Sequence, residues 1–315
     1  MGVRLTRRGG HRSRPLMGAA PTPRKCDTAV MTIALVIKVA DGIVIAADSA
    51  TTLAQMSPDG QPVVANIYNN ANKVFNLHKA LPIGAMTWGL GNIGESSIST
   101  LSKDLRRRFH GDDTGHKDWA LQKEAYAIDE VAQRAHEFLY RERYEPVAGA
   151  GEQAENLRLG FLIAGYSSDE NVPHVYVLNP GSMSPEPVEV LAGETGAAWW
   201  GQPEAIARIM NGMSLDTPLA LQSLGLGPAV ADQAAADLMG QVRASLVAPA
   251  MPIQDAIDLA CFLVDATIQY VRFSPGSPTV GGPIDVATIT KHEGFRWVRR
   301  KHFFEARLNP KEEVR

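Results

Sequence analysis

Hydrophobic positions along the chain switch between two periods. Ile33-Ala34-Leu35-Val36-Ile37-Lys38-Val39 is a run of strand formers, Asp41-Gly42 is turn chemistry, and Ile43-Val44-Ile45-Ala46-Ala47 is a second run. Together they predict a tight hairpin. Residues 50–72 are polar and irregular, with Pro58-Asp59-Gly60 and Asn69-Asn70 as turn signals and 63–68 as one strand of an extended hairpin. Residues 73–77 alternate, and 82–90 form an apolar run suited to a buried strand. The period then becomes helical, through Ile98, Leu101, Leu105 and Phe109, and again through Leu121, Ala125, Ile128, Ala132, Ala135 and Leu139. After Gly149-Ala150-Gly151 strands return at 157–165, 172–178, 188–191 and 197–200. Helices follow from Pro203, over 229–247, and over 253–271, the last apolar enough to be sandwiched inside the protein. Residues 284–290 and 295–298 close the pattern as a hairpin around Glu293-Gly294.

The order is strands, two helices, strands, helices, strands. It lacks the strict alternation of a doubly wound sheet and predicts an α+β fold, two antiparallel sheets face to face with helical pairs on both outer surfaces. No internal repeat and no Pro/Ser-rich linker divides the chain. Residues 32–300 therefore read as one domain, and 301–315 as a polar tail. Residues 1–31 differ: Arg4, Arg7, Arg8, Arg12, Arg14, Arg24 and Lys25 face one acid, Asp27, among scattered Gly and Pro, with no apolar h-region. Three readings stay open there: a disordered basic extension, a propeptide, or a misassigned start upstream of Met31.

Composition narrows the function classes. The 315 residues are 45% hydrophobic and 21% charged with net charge -3, which fits a soluble globular protein and gives no nucleic-acid signal. Cys26 and Cys261 are too few for a disulfide framework or a zinc site, and suit a reducing, cytoplasmic setting. The eight histidines show no ligand spacing, so no metal is expected. No apolar run is long enough to span a bilayer. Gly89-Leu90-Gly91-Asn92-Ile93-Gly94 fits G-x-G-x-x-G, with Asp112 downstream. A dinucleotide site needs a parallel strand ending at that acid, and 106–113 cannot be one. Arg106-Arg107-Arg108 reads as a solvated helix end.

The candidate chemistry lies at the front. Thr32 directly follows Met31, and Asp48 comes sixteen positions later. A chain beginning at Thr32 would carry a hydroxyl and a free α-amine on one residue, so one residue supplies nucleophile and base. Taken singly, Thr32 is an ordinary strand threonine, Asp48 a turn residue and Lys73 a solvated lysine. Their value lies in the constellation.

Together these segments resemble the bacterial proteasome β-subunit family of the N-terminal-nucleophile (Ntn) hydrolases. The stretch Thr32 to Ser49 is similar to the start of a mature active β subunit, with the family's nucleophile-to-acid spacing. Asn72-Lys73-Val74-Phe75 resembles the segment bearing the catalytic lysine. Gly84-Ala85-Met86-Thr87-Trp88-Gly89 resembles the strand that supplies an oxyanion amide, and Gly281 to Val286 with Gly294-Phe295 resembles the last strands. The resemblance implies a four-layer αββα sandwich with a helical insertion near 212–250, and a threonine-type peptidase. Thr32 would be the nucleophile, Asp48 and Lys73 would support it, and a Trp88 or Gly89 amide would form the oxyanion hole. Thr51, Thr52, Phe75 and Met86 would line the cleft for a peptide or unfolded protein. It implies no cofactor and a homo-oligomer, ring or ring-like, and leaves any ATPase partner open. A non-catalytic assembly subunit and an amidase acting on a small amide are the alternatives. Three places depart from the family pattern. Trp199-Trp200-Gly201 stands where the family has a Ser-Gly pair. Residues 274–279 hold Ser277 and Thr279 but lack the family's Asp. Trp88 also stands where the family has Gly, which would crowd the cleft.

Overall fold

A computed structural model describes residues 32–57, 62–148, 159–178 and 186–301. The elements run β1 (Ile33–Val39), β2 (Gly42–Ala47), β3 (Thr51–Met56), β4 (Pro62–Tyr68), β5 (Val74–Asn76), β6 (Ile83–Gly89), β7 (Asn92–Ile93), β8 (Ser96–Ser97), α1 (Ile98–His110) and α2 (Ile128–His136). A π-helical turn, Glu137–Tyr144, carries α2 into α3 (Glu145–Ala148). There follow β9 (Leu159–Gly165), β10 (His174–Leu178), β11 (Val188–Glu189), β12 (Gly196–Gly201), α4 (Glu204–Met210), α5 (Thr217–Ser223), α6 (Pro228–Val242), α7 (Ile253–Phe273), β13 (Asp285–Thr290) and β14 (Gly294–Arg299).

Two five-stranded sheets, β12-β1-β2-β13-β14 and β11-β10-β9-β6-β5, are antiparallel throughout. Their inner faces share one core, in which Ala34, Val36, Ile43 and Ala287 of the first sheet meet Val74, Met86, Leu162 and Ala164 of the second. Ile33, Leu35 and Ile37 point the other way, onto Ile206 of α4 and Ala260, Leu263 and Val264 of α7. The second sheet's outer face packs Ala85, Phe161 and Ile163 against Leu105 and Phe109 of α1 and Val131 and Ala135 of α2. The result is the four-layer αββα sandwich. Burial on both faces explains why β1 and β2 read as continuous apolar runs instead of alternating. Lys38 is the exception in β1, and its ammonium donates to the Leu191 carbonyl at 2.9 Å.

Three local expectations change. The second helix starts at Ile128 and not near 121, because the Ser168 and Ser167 hydroxyls accept the Tyr126 and Ile128 amides and fix its start from outside. Arg108 is buried, not solvated. It forks onto Glu142 at 2.7 and 2.8 Å and lies over the Trp119 and Phe138 rings. Among the described residues, helix α7 packs on one face only, with Phe262 54% and Phe273 77% exposed. The region near 212–250 forms α5 and α6, and α6 buries only Ala231 and Ala235. Residues 1–31, 157–158, 179–185 and most of the tail lie outside the described residues. Among those described, no helix is long and apolar enough to cross a membrane.

Candidate functional site

The β1–β2 hairpin brings the two ends of its own sequence together. Its register pairs Ala34 with Ala47, so the residues just before β1 lie beside those just after β2. That is the structural meaning of the sixteen-residue spacing. The Thr32 hydroxyl donates to Asp48 Oδ1 at 2.6 Å, and the Ile33 amide donates to the same oxygen at 3.0 Å. Asp48 Oδ2 accepts the Ala50 amide and, from the lead-in to β13, the Gly281 amide, each at 3.0 Å. Asp48 is fully buried, and all its partners donate.

Lys73 arrives from the opposite sheet. It immediately precedes β5, and its carbonyl is held by the Thr87 amide of β6 at 2.8 Å. The Lys73 ammonium lies 2.5 Å from Asp48 Oδ1 and also donates to Thr32 Oγ1. Burial pushes the Lys73 pKa below the usual lysine value. Asp48 pushes it back up, the Lys301 charge lowers it, and Asp285 raises it. Thr32, Asp48 and Lys73, far apart in sequence, thus form one buried hydroxyl–carboxylate–ammonium cluster.

The remaining expected residues are more dispersed. Gly89 closes β6 with φ +81°, and Gly91 in the same loop lies against Thr51 Oγ1. Thr51 and Thr52 are half-buried at the start of β3, and Thr52 Oγ1 has no hydrogen-bond partner among the described residues. Phe75 is half-buried and stacks toward Phe161 at 6.4 Å. Met86 is fully buried between the sheets, so it offers a substrate no surface. The Trp88 ring turns inward. It covers Gly160, where a Cβ would come within 1.9 Å of it, and stacks on Trp200 with ring centroids 4.6 Å apart. Crowding of the cleft by that indole is therefore relieved by burial, and Trp200 is its packing partner.

Gly201 lies against the nucleophile candidate. It pairs with Ile33, has φ +101°, and a Cβ there would come 2.0 Å from the Thr32 carbonyl oxygen. Gly201→Ala therefore adds both strain and a backbone clash. The expected result is a loss of about 1–3 kcal/mol in chemical unfolding. Displacement of Thr32 would accompany it, seen as perturbed Thr32 and Ile33 resonances.

Sequence reasoning missed a second cluster beside the first. Ser49 Oγ donates to the Pro283 carbonyl at 2.5 Å and accepts the Lys301 ammonium at 2.7 Å. Lys301 is also paired with Asp285, through its ammonium and through its amide at 3.0 Å. Lys301 falls where the sequence reads as polar tail, so no hydrophobic period marks it. Gly281, whose amide holds Asp48, contributes no side chain to read. Among the described residues, no group of three or more His, Cys, Asp or Glu is placed to hold a metal ion.

No protein-family model matches the chain, and no curated protein matches it. Among solved structures, it is similar to the helical assembly of the Anbu complex from Pseudomonas aeruginosa, at 16% identity and a TM-score of 0.48, over 86% of this chain and 88% of that one. It is also similar to Anbu (ancestral beta-subunit) from Yersinia bercovieri, at 14% identity and a TM-score of 0.48, over 86% and 88% of the two chains.

Proposed function

We propose that this protein is a threonine-type peptidase that attacks peptide carbonyls with Thr32 at the start of its mature chain. The observation that carries the reading is the 2.6 Å contact between the Thr32 hydroxyl and Asp48, with Lys73 on both. A chain beginning at Thr32 places its α-amine next to its own hydroxyl. The amine, directly or through a water, takes the hydroxyl proton as oxygen attacks. The Lys73 cation stabilises the developing alkoxide, and Asp48 holds that cation in place. An amide at Trp88 or Gly89 receives the carbonyl oxygen. As the tetrahedral adduct collapses, the C–N bond breaks and the protonated α-amine gives its proton to the leaving amine, which departs as the new N-terminus. Water then attacks the acyl-enzyme ester with the same amine as base, and the C–O bond to Thr32 breaks, releasing the acid and restoring the hydroxyl. Thr51 and Thr52, beside the Gly89–Gly91 loop, form the wall along which an extended peptide lies. Met86 acts from behind, by packing.

The roles have a pH consequence. The amine works as free base, so activity rises as pH passes its ordinary value of about 8. Lys73 works as cation, so activity falls as Lys73 loses its proton. Burial lowers that pKa, so the falling limb lies below about 10.4, the value of an exposed lysine. A kcat profile on fluorogenic peptides measures both limbs. A plateau persisting past an exposed lysine's range would remove the cationic role from Lys73.

We further propose a homo-oligomer. Leu219, Leu224, Phe262 and Phe273 are more than half exposed on α5, on the residue after it and on α7, which is costly for a lone chain. Light scattering should give a mass of several chains; a monomer at micromolar concentration would count against it. The intact mass of the protein from its native source tests the mature start, which is expected at Thr32.

A further inference from the structure

The buried ion pair Asp285–Lys301 has no part in the chemistry above, yet it reaches the Thr32 site through one residue. Ser49 follows Asp48 directly. Its hydroxyl receives the Lys301 ammonium and donates to Pro283, and its amide donates to the Gly281 carbonyl at 2.9 Å. The Gly281 amide in turn donates to Asp48 Oδ2. Lys301 and Asp285 are both more than nine-tenths buried, so neither charge is there for solubility. A buried pair contributes little net stability over apolar residues of similar size, and a specific arrangement is its better-attested use.

We propose that Lys301, clamped by Asp285, is a positioning residue of the Thr32 site, locking the 48–50 turn to the 281–283 segment so that the Asp48 carboxylate is held under Thr32 and Lys73. The chain after β14 is thereby tied to the start of β1, and the site is complete only when the end of the domain is docked. Lys301 also adds a second positive charge near Lys73, whose other charged neighbours are Asp48 and Asp285.

The inference rests on the peptidase reading for its meaning but is tested without it. Backbone amides and lysines labelled at Cε are followed by NMR, and the Lys73 signal is assigned by its loss in Lys73→Met. In Lys301→Met the Ile33 and Gly281 amides, which donate to the two oxygens of Asp48, should shift and lose protection from solvent exchange by about tenfold or more, and by less in Lys301→Gln, which can still hydrogen-bond to Asp285. The exposed-site control Lys291→Met should leave them in place. Unchanged Ile33 and Gly281 amides in a folded Lys301→Met protein overturn the proposal, whether or not the protein cuts peptides. If neither charge variant folds, Ser49→Ala, which removes one hydroxyl and no charge, decides. Its rate of covalent capture by a peptide electrophile should fall about tenfold or more with affinity unchanged. An unchanged rate overturns the positioning role. A parent chain starting at Thr32 that is never captured removes the peptidase reading instead. The Ser49→Ala arm is then read as displaced Lys73 Cε shifts, and unmoved shifts overturn the proposal.

Discussion

Thr32→Ala is expected to remove peptide hydrolysis, by roughly a thousandfold or more in kcat, while the fold stays intact. The substitution deletes one hydroxyl and one methyl at a residue that is 2% exposed. Lys73 keeps Asp48 as its partner, and the Asp48 contacts from Ile33, Ala50 and Gly281 do not involve the lost atom. The stability cost is therefore that hydroxyl's two hydrogen bonds, given to Asp48 and received from Lys73, and one buried methyl, about 2–4 kcal/mol. Thr32→Ser restores the oxygen and should recover much of the rate. Urea unfolding and peptide turnover on the same preparations make the comparison. A Thr32→Ala protein that is folded and still turns over would sink the assignment of the nucleophile.

Asp48→Ala is expected to do the reverse in proportion, a large loss of stability together with loss of activity. Removing the carboxylate leaves the Lys73 ammonium buried without its partner and strips the acceptor from the Ile33, Ala50 and Gly281 amides. Breaking one side of a buried ion pair costs about 3–5 kcal/mol, and orphaned amides add to that. For a domain of ordinary stability this is a large fraction of the total, so the protein should unfold at markedly lower urea or precipitate on expression. Asp48→Asn keeps the volume but turns an NH2 toward groups that all donate, so it should fall between parent and Ala. A midpoint for Asp48→Ala within error of the parent would mean that the carboxylate does not organise the site.

The layers were legible in the sequence where burial imposes a period. The β1–β2 hairpin has apolar residues on both faces and an acid at the end, so its strands and the Thr32–Asp48 approach could be read directly, while its turn falls at Ala40-Asp41, one position before the expected Asp41-Gly42, because Gly42 already pairs with Val39. Helix α1 carries the 3.6 period and was likewise readable; α7 was legible as a long apolar helix, but its exposed face, with Phe262 and Phe273, was not. The start of α2 was not, since its position is set by hydroxyls from the β9–β10 connection that no local pattern announces. Arg108 misled for a related reason. Its neighbours Arg106 and Arg107 suit a solvated helix end, and only the fold brings Glu142 and two aromatic rings around it. Lys73 could be placed by resemblance alone, because a single lysine before a three-residue strand carries no pattern. Lys301 and Gly281 were invisible, one reading as tail and the other acting through its backbone. The Trp88–Trp200 stack shows the opposite case. Two unusual residues were visible separately, and the structure supplies the reason that they go together.

The central claim is that the α-amine and hydroxyl of Thr32 act as one group. The most direct measurement compares a chain beginning at Thr32 with one that keeps residues before it. Each is treated with a peptide electrophile that captures an adjacent amine and hydroxyl, then read by intact mass and peptide mapping. A single adduct, located at Thr32, is expected on the chain that begins there, and none on the longer chain. An unmodified Thr32 in the shorter chain, or equal modification of both, would contradict it.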